Sequence, residues 1–165
     1  MNTNKSQRGF EIVSESEFNK SFQGFDAKYE ELKIPKRATK KSAGYDIFAP
    51  FNISLLPNQD RVIPTGIKAY MLDDEVLKVY PRSGLGFKFY ARPANLVPII
   101  DADYYDNPKN EGNIMIKIRN ESNQVLLVAK GKGFCQGIFQ KYLLADGDNH
   151  SMGEDRVSGI DSTNK

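Results

Sequence analysis

The sequence predicts an all-β protein of one domain, a barrel or sandwich, on three observations. Apolar and polar residues alternate in short runs, turn residues separate those runs every 8 to 12 positions or so, and helical spacing of apolar residues is confined to one stretch. At 165 residues the chain has the length of about one domain and can bury a core without disulfides or a structural metal.

Taken in order, the elements follow from local chemistry. The stretch "SESEFNKSFQGFDAKYEEL", Ser14 to Leu32, places Phe18, Phe22 and Phe25 at near-helical spacing, and Gly24 interrupts it. A short helix is therefore expected inside an N-terminal extension, residues 1–32. The β domain is expected over residues 33–148. Within it, "FNISLL" runs into the turn "PNQD", "RVIPTGIKAYML" is β-branched but broken at Pro64 and Gly66, and "EVLKVYPRSG" alternates before a Pro-Gly stop. "NIMIKIRN" puts Ile114, Ile116 and Ile118 on one face; "QVLLVAKGKG" and "FCQGIFQKYLL" complete the strand set. Residues 149–165 are polar and read as a flexible C-terminal tail.

Composition excludes several classes of function. Lys plus Arg number 23 against 21 Asp plus Glu, a net charge of +2, too balanced for the broad basic face of a nucleic-acid binder. An anionic partner should be small and locally held. No apolar run approaches the ~18 residues of a membrane span. The start "MNTNKSQRGF" lacks the apolar region of a signal peptide, and a single Cys135 suits a reducing compartment, so a cytoplasmic location is expected.

With one His, at position 150 in the polar tail, and one Cys in an apolar run, neither a Ser-His-Asp arrangement nor a zinc cluster can be built. Carboxylates remain for acid and base work. Asp46 in "SAGYDIFAP" and Asp101 in "PIIDADYY" stand out because apolar residues flank them. An Asp entering from the interior side of a strand becomes more basic by desolvation. Asp101 and Asp103 can equally be turn residues that bond their own backbone. "PRSGLG" sets Arg82, a planar fixed cation, beside Ser83 and two glycines, which would suit a phosphate but also an ordinary turn.

Five ordered segments together resemble the motifs of the trimeric all-β dUTPase (deoxyuridine triphosphate nucleotidohydrolase) family: "AGYDIFAP", "PRSGLG", "NLVPIIDADYY", "GKGFCQGIF" and "RVSGIDSTNK". The resemblance spans about Pro35 to Asn164 and implies a single jelly-roll-like β domain assembling as a homotrimer with shared sites. It implies hydrolysis of dUTP to dUMP and pyrophosphate, by water attack on the α-phosphorus, with Mg²⁺ held by the substrate phosphates and not directly by the protein. That reaction limits uracil in DNA and supplies dUMP for dTMP synthesis. By the same resemblance Asp101 is the base that orients the water and meets the 3′-hydroxyl, and Asp46 holds water in the metal's shell. Tyr104 packs under the sugar and leaves no room for a 2′-hydroxyl. Asn95 and the backbone after it, through Pro98, form a hairpin that reads uracil. Arg82, Ser83 and Gln136 grip the phosphates, Gly84 admits close approach of backbone, and Arg156, Ser162 and Thr163 belong to the closing fifth segment.

The departures from the family pattern fall at defined places. Pro98 stands where relatives carry Gly, which removes an N–H near the base. Gly133 stands where a long side chain is common. Ile160 replaces the aromatic that stacks on uracil, a loss of roughly 1–3 kcal/mol by analogy with other base–aromatic contacts, and Asp161 and Asn164 replace glycines. These changes leave a second reading open: a nucleotide-responsive binding protein of the same fold with little hydrolysis, reporting to a regulatory protein partner through the N-terminal extension or the insertion "DNPKNEG".

Overall fold

The computed structural model describes residues 7–148, and period-two burial marks several of its strands. In chain order, β1 (Gly9–Ile12) leads into helix α1 (Glu15–Ser21), then β2 (Lys36–Arg37), β3 (Tyr45–Phe48), β4 (Ile53–Leu55), β5 (Asp60–Pro64), β6 (Ile67–Tyr70) and β7 (Glu75–Pro81). A second helix, α2 (Ser83–Phe89), precedes β8 (Arg92–Pro93), β9 (Ile99–Asp101), β10 (Met115–Arg119), β11 (Leu126–Val128) and β12 (Gly133–Lys141).

All pairings are antiparallel. A five-stranded sheet has the order β2-β3-β12-β7-β9, a three-stranded sheet β5-β10-β8, and two-stranded ribbons pair β1 with β6 and β4 with β11. One continuous apolar core joins them, with Ile47, Leu77, Val79, Phe134 and Cys135 from the large sheet, Ile63, Ile116 and Ile118 from the three-stranded one, and Leu55 and Leu126 from the β4–β11 ribbon. Ile114, Ile116 and Ile118 are all buried, as their alternation requires, while Lys117 between them faces out. Pro64 ends β5 and Gly66, at φ 70°, turns the chain into β6, so the broken run becomes two strands in different sheets. Cys135 is fully buried, and burial pushes its thiol upward out of the reactive range.

The expected short helix is present. Ser14 caps it by accepting from the Glu17 N–H, and Gly24, at φ 80°, sits just past its end. Phe18 and Phe22 stack at 4.4 Å between centroids, and Phe25 stacks on Phe51 at 4.5 Å. From Gly9 onward the N-terminal segment is joined to the β domain, through the β1–β6 ladder and through Val13, Phe18 and Phe22 in the common core. β1 itself, in "GFEI", has no expectation behind it, since four residues between polar flanks give too little period to read. Arg8 extends the attachment: its guanidinium reaches the buried carboxylate of Glu75, with Nε 2.9 Å from both oxygens and a terminal nitrogen 2.6 Å from Oε1.

Two of the expected local conformations differ. "PRSGLG" is not an open glycine loop: Ser83 onward is helical, with the Leu85 and Gly86 N–H groups both donating to the Arg82 carbonyl. Its glycines weaken the helix but do not prevent a turn anchored by buried Phe89. The expected base-reading hairpin is instead a tight turn at 94–97 between strands of different sheets, because β8 pairs with β10 whereas β9 pairs with β7.

Phe18→Ala should lower unfolding free energy by about 3 kcal/mol or more, the ordinary cost of emptying a buried aromatic site, measured by urea denaturation. An N-terminal segment independent of the core would leave the midpoint unchanged. Hydrogen bonds from Arg8 hold the Glu75 carboxyl below the ordinary value of 4.5. The stabilisation is therefore complete above that value and lost as pH falls through the lowered one. The stability difference between wild type and Arg8→Ala should be present at pH 7 and vanish with acidification.

Candidate active site

Three of the segments singled out by sequence meet at one end of the large sheet. Strand β12 lies between β3 and β7, and its register sets Gln136 directly across from Asp46 on one side and from Tyr80 on the other. Adjacent β2 continues the row by placing Lys36 opposite Asp46. Arg82 follows β7 as the cap residue of α2, its N–H donating to the Phe134 carbonyl at 3.3 Å. From there its Nε comes within 3.4 Å of Asp46 Oδ1. Gln136 Nε2 donates to the Pro81 carbonyl at 3.3 Å. Asp46, Arg82 and Gln136 thus form one polar cluster, with the Asp46 side chain 14% exposed and that of Arg82 44%. The carboxylate is withdrawn while the guanidinium stays reachable, which suits a group that must meet an anionic ligand.

Gly133 proves to be part of this arrangement. A Cβ there would lie 3.0 Å from both Cδ and a terminal nitrogen of Arg82 and 3.4 Å from Asp46 Cβ. The missing side chain is the space through which Arg82 reaches Asp46. Ser83 and Gly84 open α2 beside Arg82, both exposed, and a Cβ on Gly84 would meet nothing within 4 Å. Backbone at that point is open to close approach.

The remaining described residues form a second group on one continuous segment. Asn95 and Leu96 are exposed in the turn, Leu96 at φ 64°. Pro98 is buried, and its carbonyl accepts from the Val79 N–H at 3.0 Å. It therefore stands just before β9 as an acceptor from β7, a position where a missing N–H costs no sheet bond. Asp101, half-buried, ends β9 opposite Val76, and one turn of 3₁₀ helix, 102–104, separates it from buried Tyr104. Asp103 is exposed in that turn. Tyr105 donates its hydroxyl to Glu11 of β1 at 2.6 Å.

Within one chain the two groups do not meet. Asp101 pairs with Val76 near the start of β7, and Arg82 lies six residues further along. At about 3.3 Å per residue that is a separation of roughly 20 Å along the strand. Arg156, Ser162 and Thr163, with Ile160, Asp161 and Asn164, lie outside the described residues.

Lys36 and Gly133 are site residues whose part was not legible. A two-residue strand carries no period, and the value of a glycine depends on which side chain crosses it. Among the described residues no group of three or more His, Cys, Asp or Glu is placed to hold a metal ion. No helix among them is long and apolar enough to cross a membrane.

Comparison with known proteins agrees with this geometry. The dUTPase family model matches residues 30–161. A deoxyuridine 5'-triphosphate nucleotidohydrolase of Lactococcus lactis is 41% identical over 158 residues, covering 94% of this chain and 97% of the relative. Another, from Blochmanniella floridana, is 37% identical over 66% of this chain and 70% of the relative. The crystal structure of dUTPase from Streptococcus mutans superposes with a TM-score of 0.69 at 36% identity, covering 84% of this chain and 99% of that one. A dUTPase of Staphylococcus bacteriophage 80alpha, at 19% identity and TM-score 0.63, shares the fold. The chain belongs to the dUTPase family.

Proposed function

We propose that this protein hydrolyses dUTP to dUMP and pyrophosphate at sites shared between the subunits of a homotrimer. The observation that carries the reading is the convergence of Asp46, Arg82 and Gln136, from three separate segments of the chain, beside the exposed start of α2. A guanidinium fork, an amide and open backbone are the groups that bind phosphates.

In this reading Asp101 acts as general base. A water lying between its carboxylate and the α-phosphorus gives Asp101 a proton as the new O–P bond forms; the bond from the α-phosphorus to the bridging oxygen breaks, and pyrophosphate leaves. Arg82 offsets the charge that gathers on the phosphates, and its position is already fixed by Asp46 and the gap at Gly133. Ser83, Gly84 and Gln136 complete the phosphate grip. Tyr104 lies under the deoxyribose and Asn95 with the turn before Pro98 meets the base, so the sugar and base are read by one segment.

A lone carboxylate already facing a guanidinium cannot cage a bare divalent cation, but it can order the water shell of one that arrives on a nucleotide. Mg²⁺ bound to the triphosphate would supply charge neutralisation there. Asp46 would hold its water, and Arg156, Ser162 and Thr163 would close over the phosphates.

The homotrimer is what the family implies, and the distance between the two groups of residues supports sites shared within it. Asp101 and Arg82 lie about 20 Å apart along β7, so in this reading the base of one subunit serves the phosphate grip of another. Phe87, Tyr90, Leu96 and Ile99 are exposed in this stretch, apolar surface suited to burial between subunits. The balanced charge and buried free thiol fit a cytoplasmic enzyme acting on a small nucleotide. The 41% identity over the full length of a named nucleotidohydrolase favours this over a non-hydrolysing regulatory protein.

Pyrophosphate release should be found with dUTP plus Mg²⁺ and be far slower with UTP, dTTP or dCTP. Asp101→Asn should lower turnover of dUTP by about 10²–10⁴, the usual worth of a general base, while a non-hydrolysable dUTP analogue still binds. Undiminished turnover in that variant would remove Asp101 from the mechanism.

A further inference from the structure

Tyr104 is held by a set of hydrogen bonds in addition to its packing in the core. Its hydroxyl donates to the Asn113 carbonyl at 3.0 Å and accepts from Asn110 Nδ2 at 2.9 Å. The same Asn110 amide lies 3.2 Å from the Asn113 carbonyl, which closes a three-membered set. At the other end of the residue, the Tyr104 carbonyl accepts from Asn107 Nδ2 at 2.8 Å, and that amide also donates to Asn110 Oδ1 at 2.8 Å. Gly112, at φ 84°, brings the loop back against its origin: a Cβ there would sit 2.7 Å from the Tyr104 carbonyl oxygen. Hydroxyl and backbone of one tyrosine are thus tied into a single loop, the insertion "DNPKNEG" and Asn113.

That loop is in turn fastened to the N-terminal segment. Lys20 donates to the Lys109 carbonyl, Asn113 Nδ2 lies 3.5 Å from Glu17 Oε1, and the Ser14 N–H donates to Glu111 at 2.9 Å. Glu111 is held below the ordinary carboxylate range by those bonds from Ser14. Tyr104 is buried in the common core and also lines a cleft of about 240 Å³ together with Glu17, Lys20 and Asn110.

We propose that Asn110, braced through the loop by α1, is a positioning residue that fixes Tyr104 against the sugar and so sets discrimination between deoxyribose and ribose triphosphates. The inference rests on the reading of Tyr104 given above. A ring excludes a 2′-hydroxyl only if it cannot retreat, and a displacement of about 1 Å in a positioning group is enough to change rates severely. Core packing holds the ring loosely in direction, and hydrogen bonds at both ends of the residue fix where it stands. The insertion and the N-terminal segment are then one device, the loop supplying the amide and the helix holding the loop.

The test is the ratio of kcat/KM on dUTP to that on UTP, measured with full-length wild type, Tyr104→Phe, Asn110→Ala and the double variant. Each single variant should lower the ratio about tenfold, at the upper end of what one hydrogen bond contributes, mainly by accelerating UTP. The double should fall by less than the sum of the singles, because both remove the Asn110–Tyr104 hydrogen bond. A merely structural role would lower the melting temperature and leave the ratio within twofold of wild type; that result in both single variants overturns the proposal, as does full additivity in the double. Tyr104→Phe leaves the Asn110 amide on the Asn113 carbonyl, so it carries the test if Asn110→Ala does not fold. A wild type that hydrolyses dUTP without preferring it to UTP overturns the assignment of Tyr104 itself, and no hydrolysis of dUTP at all overturns the enzyme reading.

Discussion

Strand β7 is the constraint on which the rest depends. It pairs with β12 along its whole length and with β9 from Val76 to Lys78, and the antiparallel register of those pairings helps decide where the polar groups of the site stand. At one end β12 delivers Gln136 beside Tyr80, β3 delivers Asp46 beside Gln136, and the chain leaving β7 delivers Arg82. Toward the other end β9 delivers Asp101 opposite Val76. A slip of one residue in either ladder would turn a whole set of side chains to the opposite face. The buried Leu77 and Val79, which share one face of β7, oppose it. Packing of the core and placement of the chemistry are therefore the same specification.

From that constraint the local choices follow. Gly133 leaves room where Arg82 crosses β12 to reach Asp46, since a Cβ there would press on the Arg82 side chain at 3.0 Å. Pro98 is tolerated because β9 uses its carbonyl, not its nitrogen, toward Val79. Tyr104 leaves β9 only three residues after Asp101, beyond the reach of the β7 ladder, and so needs support from elsewhere; the insertion loop and the N-terminal helix supply it. A segment that looked like an extension is joined to the element that carries Tyr104.

Much of this was legible in the sequence where one rule acted alone. Ile114, Ile116 and Ile118 show their common face by spacing, Gly24 ends α1 because it accepts a positive φ, and Asp46, Arg82, Asp101 and Tyr104 are recognisable by type and order. What was not legible depends on partners distant in sequence. The helical start at Ser83 contradicts the poor helix propensity of Gly84 and Gly86 and is decided by burial of Phe89. The turn at 94–97 looks like a hairpin until the pairing of β8 with β10 and of β9 with β7 is known. Lys36 in a two-residue strand, and Asn110 in a polar loop, carry no period at all; only the register of β2 on β3 and the fold of the loop give them neighbours.

The central claim is that base and phosphate grip come from different subunits, since β7 holds them apart in one. Its most direct test mixes two chains, Asp101→Asn and Arg82→Ala, each inactive by itself, dissociated and reassembled together so that mixed trimers form. If sites are shared, some interfaces in the mixture combine an intact Asp101 from one chain with an intact Arg82 from the other, and dUTP hydrolysis is expected to return. Mixed trimers verified by mass that remain as inactive as either parent would contradict the account.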